Sequence, residues 1–526
     1  MNNKIRQQDA WRWTALVCLT APILLSSLFP ASLHAQINSA ADATPAQSTS
    51  STSAAGPQNT QPPTQSPTID LQSAARSAAD PYSGSIVEGH ATDEVLQLSL
   101  DDAIARGIKT NFALTDVRAQ ERAAQAQTLE ALDPLLPVIK AQGSTGVYQF
   151  NLATEGFTPA FLPTLASLLP QTGNTPINLV VRVDVTQAQA TYNETLFSLE
   201  DFTRYKASKV QAKAAYYNTQ SSRGLVVLNV GNAYLQSLAY AAEIDAQTAT
   251  LRADEVMLKQ VVAEHEAGTV ARIDELRARV QYQQQQQQVI AAQNEYDKSL
   301  IALKRRIGLP IDQKIALTDA APYSDLDTIT PDQARQQAYQ SRQDYQSMQQ
   351  QIEAARLNLK AAHYERFPTL SFDGDYGVTG QTHGLYHGTF DAVGTLSIPI
   401  FKEARFRGDE KVADTTLRQL SMRFNNLKEQ IDQQLRDSLL DVQTAVELVK
   451  VARSNVELAT KELEQSNDQF SAGTTDNLPV VQSQATLASA QTQLVEDTLK
   501  FNEAKLGLAR NLGIVDTQYK SYLHGK

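Results

Sequence analysis

The chain has 526 residues and a formal charge of -11, and its one cysteine and both tryptophans fall within the first 18 positions. The 46 lysines and arginines never gather into a dense cluster, which argues against nucleic acid as a partner. Beyond residue 18 there is no cysteine, so disulfides do not build the fold.

The N-terminus reads as a secretory signal peptide over residues 1–35. Lys4, Arg6 and Arg12 give a basic start, residues 13–28 an apolar core, and Leu33-His34-Ala35 a cleavage site before Gln36. An uncleaved membrane anchor is the alternative. Cys18 lies inside the apolar core behind Val17 and is expected to leave with the signal rather than carry a lipid. Cleavage removes three positive charges and one negative, taking the formal charge from -11 to -13. Residues 36–95 are rich in Ala, Ser, Thr, Gln and Pro. Such a segment buries too little apolar surface to offset its ordering entropy, so it reads as a disordered leader.

Ordered structure is expected from residue 96. In Leu98-Ser99-Leu100-Asp101-Asp102-Ala103, Ser99 is placed to cap a helix whose pattern runs through Leu114, Val117, Ala123 and Leu129 and stops by Pro137. The period then shortens to two. Tyr148, Phe150 and Leu152 alternate with smaller or polar residues, as do Leu179, Val181, Val183 and Val185 with Val180, Arg182, Asp184 and Thr186. These spacings predict two strands with one apolar face, joined by a long insert over 155–176. Residues 197–266 contain no proline and keep a helical pattern; about 70 residues would span roughly 105 Å. Ala267-Gly268-Thr269 ends that helix, because glycine is poor inside a helix and common just past its end. A return helix follows over 273–307.

The pattern then repeats. Asp101, Ala103 and Pro137 recur as Asp332, Ala334 and Pro368, each 231 positions later. A second strand pair follows, with Leu370, Phe372, Tyr376 and Val378 alternating with Ser371, Asp373, Asp375 and Gly377, and Phe390, Leu396 and Ile398 with Val393, Thr395 and Ser397. Beyond the strands the offset is 205, the difference being the longer first insert. Ile244, Leu251 and Leu258 fall on Val449, Val456 and Leu463, and Tyr282, Val289, Tyr296 and Leu303 on Leu487, Leu494, Phe501 and Leu508, every set spaced by seven. Ala472-Gly473-Thr474 repeats the first turn. Heptads held through two helix pairs indicate coiled-coil packing. The chain reads as a tandem duplication, with a first repeat over 96–308, a linker over 309–330, a second repeat over 331–513 and a tail over 514–526.

Four strands cannot close on themselves, since the smallest membrane barrels need about eight. No 18-residue apolar segment follows the signal, so an exported chain with these strands spans a bilayer only by pooling them with other copies. The long helices are too polar for lipid and must project into water, continuing the pore as a tube with Gly268 and Gly473 at its far tip. The fold class is mainly α with a β-barrel part.

Several motifs follow one another in order along the two copies. They are Leu98 to Ala103 as quoted, the strand openings at Pro137 and Phe367-Pro368-Thr369-Leu370, Leu396-Ser397-Ile398-Pro399-Ile400-Phe401, the two Ala-Gly-Thr turns and the closing Gly513. Together they resemble the TolC-type outer-membrane efflux family over residues 96–513. The resemblance implies a homotrimer, a twelve-stranded barrel in outer-membrane lipid and a helical tunnel through the periplasm. It also implies docking at the tip to a periplasmic adaptor (membrane fusion protein) and an inner-membrane transporter. Family members shut the tunnel with an aspartate six residues after the first-copy glycine, here Asp274. Its usual tyrosine and arginine partners stand where this chain has Phe470 and Thr475, so that ionic lock cannot form in the same way. Arg272 and Arg277 are candidate replacements for the lost cation. The family's inward aspartates fall on Pro479 and Gln482, and Asp476 is the candidate for a replacement constriction. The alternative for Asp476 is simple capping of the return helix, with Pro479 in its first turn.

Arg182, Asp184, Asp373 and Asp375 alternate with apolar neighbours and are expected to face a solvated barrel lumen. His383 and His387, beside Gly384 and Gly388, read as an exposed loop rather than a metal site, and the glutamines over 283–288 as a helical surface. The apolar insert with Phe157, Phe161 and Leu165 either covers the outer mouth or dips into the membrane interface. No nucleophile–base pair, phosphate loop or metal-ligand cluster stands out. The expected function is a passive exit duct of a tripartite efflux or secretion system in a Gram-negative-type outer membrane, with no enzyme activity and no cofactor. The alternative, a periplasmic coiled-coil adaptor or scaffold without a pore, explains the heptads but not the strands or the duplication.

Overall fold

The computed structural model describes residues 81–151, 153–154, 180–319, 329–382 and 384–524. The signal peptide, most of the leader, the insert with Phe157, Phe161 and Leu165, and His383 lie outside the described residues. The first copy opens with β1 (Leu96–Leu98), α1 (Leu100–Thr110) and α2 (Phe112–Leu132). The hairpin of β2 (Val138–Asn151) and β3 (Val180–Phe197) follows, then the long α3 (Leu199–Glu266) and the return helix α4 (Arg272–Arg306). A short β4 (Ile315–Leu317) pairs in parallel with β1 and ties the beginning of this copy to its end. The second copy comprises α5 (Pro331–Ser341), α6 (Gln343–Tyr364), β5 (Thr369–Gln381), β6 (Tyr386–Ser397), α7 (Glu403–Ser471) and α8 (Leu478–Asn511); α9 (Val515–His524) closes the described chain.

Local chemistry sets the helix ends. Ser99 accepts a bond from the Asp102 N–H at 3.1 Å, so the expected cap forms. Asn111 ends α1 and caps α2 through the Leu114 N–H, and Arg342 stands at the corresponding break between α5 and α6. Each Ala-Gly-Thr turn places its glycine in the left-handed region, at φ +77° for Gly268 and +68° for Gly473. The next threonine then donates both its N–H and its hydroxyl to one helix carbonyl, that of Glu264 in the first copy and Gln469 in the second. This satisfies a carbonyl that a helix end leaves without an intrahelical partner.

At 68 and 69 residues, α3 and α7 are each about 100 Å long. Helices of that length hold together through side-by-side packing, α3 against α2, α6, α4 and α8, and α7 against α6 and α8. The main core gathers at mid-height, where Val230 and Tyr234 of α3 meet Ile431 and Leu435 of α7 and Phe501 and Leu508 of α8. Tyr234 is fully buried, and its hydroxyl lies 2.9 Å from both the Leu98 carbonyl and Asp319 Oδ2. A second, smaller core of Met257, Val261, Ala278, Phe470 and Val480 holds the tip.

The four long strands form one antiparallel sheet in the order β2-β3-β5-β6. Pairing of β3 with β5 stops at Val185–Gln381, whereas β2 and β3 stay paired out to Asn151–Val180, so the first hairpin projects beyond the second.

Two glycines with the same backbone conformation sit in opposite surroundings. A Cβ at Gly513 (φ +79°) would come within 2.6 Å of the Arg342 nitrogen, whereas one at Gly268 would meet nothing within 4 Å. Replacing Gly268 by alanine is expected to cost about 1–2 kcal/mol, the left-handed penalty alone. Gly513→Ala should cost distinctly more, because the α8 terminus must also move away from the α5–α6 break. Thermal unfolding followed by helical circular dichroism checks the order.

Candidate conduction path

In an antiparallel sheet, directly opposed residues share a face. The register places Ala188, Ala190, Tyr376, Val378, Phe390 and Leu396 on one face, together with Ile139. Phe390 is 80% exposed, Ile139 73% and Tyr376 71%, an apolar surface that water does not favour. The opposite face carries Lys140, Gln142, Gln187, Asp373, Asp375 and Asp391. Its side chains bind one another across strands: Asn193 Nδ2 donates to Asp373 Oδ1 at 2.6 Å and Gln189 Nε2 to Asp375 Oδ2 at 3.4 Å.

The four charged residues expected to share a lumen face do not share one. Asp373 and Asp375 lie on the polar face, but Arg182 and Asp184 lie on the face of Ala188 and Ala190. Alternation alone suggests that Val181, Val183 and Val185 mark the lipid side of their strand. The register instead aligns them with Gln187 and Gln189. Along β3 this face runs through Phe197, Glu194, Tyr192, Ala190 and Ala188, about the 9–11 residues a tilted strand needs to cross hydrocarbon, and its one carboxylate, Glu194, accepts the Tyr192 hydroxyl. Thr186 continues above it, still paired with Gly380, and Asp184 and Arg182 lie beyond, in the projecting part of the hairpin.

At the tip, Arg277 bridges the two repeats. Its Nη1 lies 3.3 Å from Asp274 Oδ1 and 3.0 Å from Asp476 Oδ2. Asp476 also accepts the N–H of Leu478, the first residue of α8, through its other oxygen at 3.3 Å; Asn477 is the N-cap, so this one carboxylate holds the helix start from just before the cap and pairs across the repeats. Asn477, fully buried and not singled out by the sequence, donates to the Asp274 carbonyl at 2.9 Å and fixes α4 against the second turn. Phe470 is buried in the tip core, so it packs there rather than offering a ring to an opening. Thr475 is half-buried, and Arg272 and Gln482 are exposed; Arg272 has no ion pair among the described residues. The Asp476 side chain is half exposed, so its bridge contributes at most about 1 kcal/mol. Such a weak link is one that a docking partner can readily replace.

The seam between α3 and α4 is polar where the second copy is not. Gln285 Nε2 donates to Gln247 Oε1 at 2.7 Å, and Gln247 Nε2 to Thr492 Oγ1 at 3.1 Å. One layer nearer the tip, Asp254 is buried with only Gln281 Nε2 near it, at 3.3 Å from Oδ2, and Oδ1 has no partner among the described residues. The positions 205 residues later are Ala452, Ala490 and Ala459. Burial pushes the Asp254 carboxyl up to about 6, and the Gln281 bond only partly offsets this.

The sequence profile described as Outer membrane efflux protein matches residues 103–309 and 334–514, most of the chain and both repeats. The chain belongs to the outer membrane efflux protein family. Over 425 residues this efflux protein is 24% identical to the pyoverdine export outer membrane protein OpmQ of Pseudomonas aeruginosa, covering 79% of this chain and 85% of that one. Its fold matches the CmeC outer membrane channel of Campylobacter jejuni with a TM-score of 0.66 at 15% identity, over 83% of this chain and 92% of that one. It also matches the open state of the MtrE outer membrane channel of Neisseria gonorrhoeae, with a TM-score of 0.62 at 14% identity, over 84% and 95%. The duplicated architecture and the outer-membrane location read from the sequence therefore hold for this efflux protein.

Arg277→Ala removes the one side chain that, among the described residues, pairs with both Asp274 and Asp476, and should raise the closed-state conductance of the reconstituted protein; an unchanged value would deny the bridge a role in closure. For Asp254 the folded pKa lies above the unfolded value. Its favourable contribution is therefore complete below about pH 4 and lost as pH rises towards about 6. Asp254→Asn should accordingly stabilise the protein by something of order 2 kcal/mol at pH 7.5 and by almost nothing near pH 4, read as a pH-dependent difference in melting temperature.

Proposed function

We propose that three copies join their four-stranded sheets edge to edge into one closed barrel in outer-membrane lipid and conduct substrates passively through it. The observation that carries this reading is a sheet with an apolar face, a polar face and two unpaired edges. Closing it with copies of itself turns Tyr376, Phe390 and Ile139 to lipid and Asp373, Asp375 and Asp391 to the lumen. The long helices then continue the pore away from the membrane, and the Gly268 and Gly473 turns form the end that meets a periplasmic adaptor and an inner-membrane transporter. No catalytic step is assigned to the chain; transport is driven by its partners, and they select the cargo. In this reading residues 1–35 direct export, and the repeats over 96–308 and 331–513 each supply two strands and one long hairpin. Asp274, Arg277 and Asp476 lie at the closing end, with Arg272, Thr475 and Gln482 near them.

The proposal predicts a protein that fractionates with the outer membrane and migrates differently on gels before and after heating. Recovery only from the soluble periplasmic fraction would favour the pore-free scaffold instead. Asp373→Asn combined with Asp375→Asn should lower the cation-over-anion permeability of single channels without altering insertion, measured as a shift in reversal potential across a salt gradient.

A further inference from the structure

Just below the sheet, α3 contains no aspartate or glutamate over residues 202–242, while Arg204, Lys206, Lys209, Lys213 and Arg223 all fall there. Lys206, Lys209 and Lys213 recur at intervals of three and four and share one exposed stripe with Phe202 and Tyr216. Arg204, on the opposite stripe, is paired with Glu200 and Glu365. The three lysines form no ion pair among the described residues. Each instead lies over an aromatic ring: Lys206 is 4.3 Å from the centroid of Phe202, Lys209 5.5 Å from Tyr205, and Lys213 5.8 Å from Tyr217.

The Arg204–Glu365 pair identifies one surface of the helix layer, so residues half a turn away share the other. On that other surface the lysine stripe of α3 is continued by Arg356, Lys360 and His363 of α6. These face Arg407 and Lys411 of α7 across a groove of about 680 Å³, which also holds Glu410 and Asp414.

Handedness shows which way this surface faces. Asp184, on the apolar face of the sheet, accepts the N–H of Thr382 at the end of β5. For L-residues this puts β5 to the left of β3 when the apolar face is viewed with the loops uppermost. Below, α3 descends from β3 as a right-handed helix with α6 on one flank, through Ser347 Oγ to the Ala214 carbonyl, and α2 on the other, through Thr128 Oγ1 to the Ser208 carbonyl. With those flanks the lysine stripe lies on the same side as the apolar face of the sheet. Both flanking helices belong to the same chain, so a copy joined at β2 or β6 leaves the stripe uncovered.

The three lysines lie about 10–21 Å along the helix from its beginning next to the apolar band. Ile400 and Phe401, 94% and 92% exposed, mark the lower edge of that band at the β6–α7 junction. We propose that the Lys206–Lys209–Lys213 stripe, with Lys360 and Lys411 of the adjoining groove, where Arg356 and Arg407 are already paired with Glu353 and Glu403, binds the phosphate headgroups of anionic phospholipid in the leaflet nearest the helices. The rings hold the lysine stems upright, and their ammonium groups, free of carboxylates, are the complement of a phosphodiester surface.

This site rests on the barrel reading, and its test separates the two. Native mass spectrometry of the full-length protein in neutral detergent is titrated with short-chain phosphatidylglycerol, short-chain phosphatidylcholine and inorganic phosphate. A lysine near an anionic surface contributes about fivefold, so the combined Lys206→Gln, Lys209→Gln and Lys213→Gln variant should bind phosphatidylglycerol roughly a hundredfold more weakly. Its binding of phosphatidylcholine should not change, and the corresponding triple Lys→Arg variant should keep the preference. Equal binding of the two lipids by the unaltered protein, an unchanged preference in the glutamine variant, or displacement of phosphatidylglycerol by equimolar inorganic phosphate overturns the proposal. Alkali-resistant insertion into phosphatidylcholine vesicles reports on the barrel alone: it succeeds for every variant if that reading holds, whatever the headgroup result.

Discussion

A backbone amide left unpaired in hydrocarbon costs several kcal/mol, and β2 and β6 each present one edge of the sheet without a partner. The rest of the structure depends on that constraint. In the proposed barrel, edges that neither pair nor face water meet the edges of other copies, which would put the apolar face outside and the polar face inside. A strand that crosses the membrane must enter and leave at the same height in both repeats. The offset between the copies accordingly changes only within the first hairpin insert and is constant on either side of it. The long helices inherit their places from the strands they follow, and α3 is held between α2 and α6 in the way that β3 is held between β2 and β5.

The two repeats share a backbone plan and differ in what fills it. Both return helices end in a left-handed glycine packed on a break in the repeat's first helix, Gly308 against Thr110 and Gly513 against Arg342. Both tips turn on the same Ala-Gly-Thr bonds. Between those fixed points the first hairpin buries Gln247, Asp254 and Gln285 where the second has alanines. A buried carboxyl with one oxygen unpaired among the described residues weakens the α3–α4 seam at that layer. The Arg277 bridge couples the two hairpins at the end where a partner would bind.

Much of the architecture was legible in the sequence, because heptads, left-handed glycines and period-two strands each have a local physical cause. The turn at Gly268, the cap at Ser99 and the duplication are of this kind. The face of each strand was not legible. Alternation shows that two faces differ, but only the register to a neighbouring strand says which faces coincide, and on that point Arg182 and Asp184 were misplaced. At the tip, Asp274 was picked out by the family resemblance, Arg277 as a replacement cation and Asp476 by its closeness to the turn, whereas the burial of Phe470 and the role of Asn477 depend on packing between repeats some 200 residues apart. The lysine stripe escaped because its members are spread along a helix rather than clustered. Its local signal was the missing acid over residues 202–242, not an excess of base.

The central claim, closure of the sheet by copies of the same chain, is tested most directly by the mass of the complex extracted from the outer membrane in mild detergent. Three copies per complex are expected, all of them dissociating together when the edge strands are disrupted. A membrane-inserted protein that is monomeric under those conditions would contradict the claim, because a single four-stranded sheet leaves two edges open to lipid.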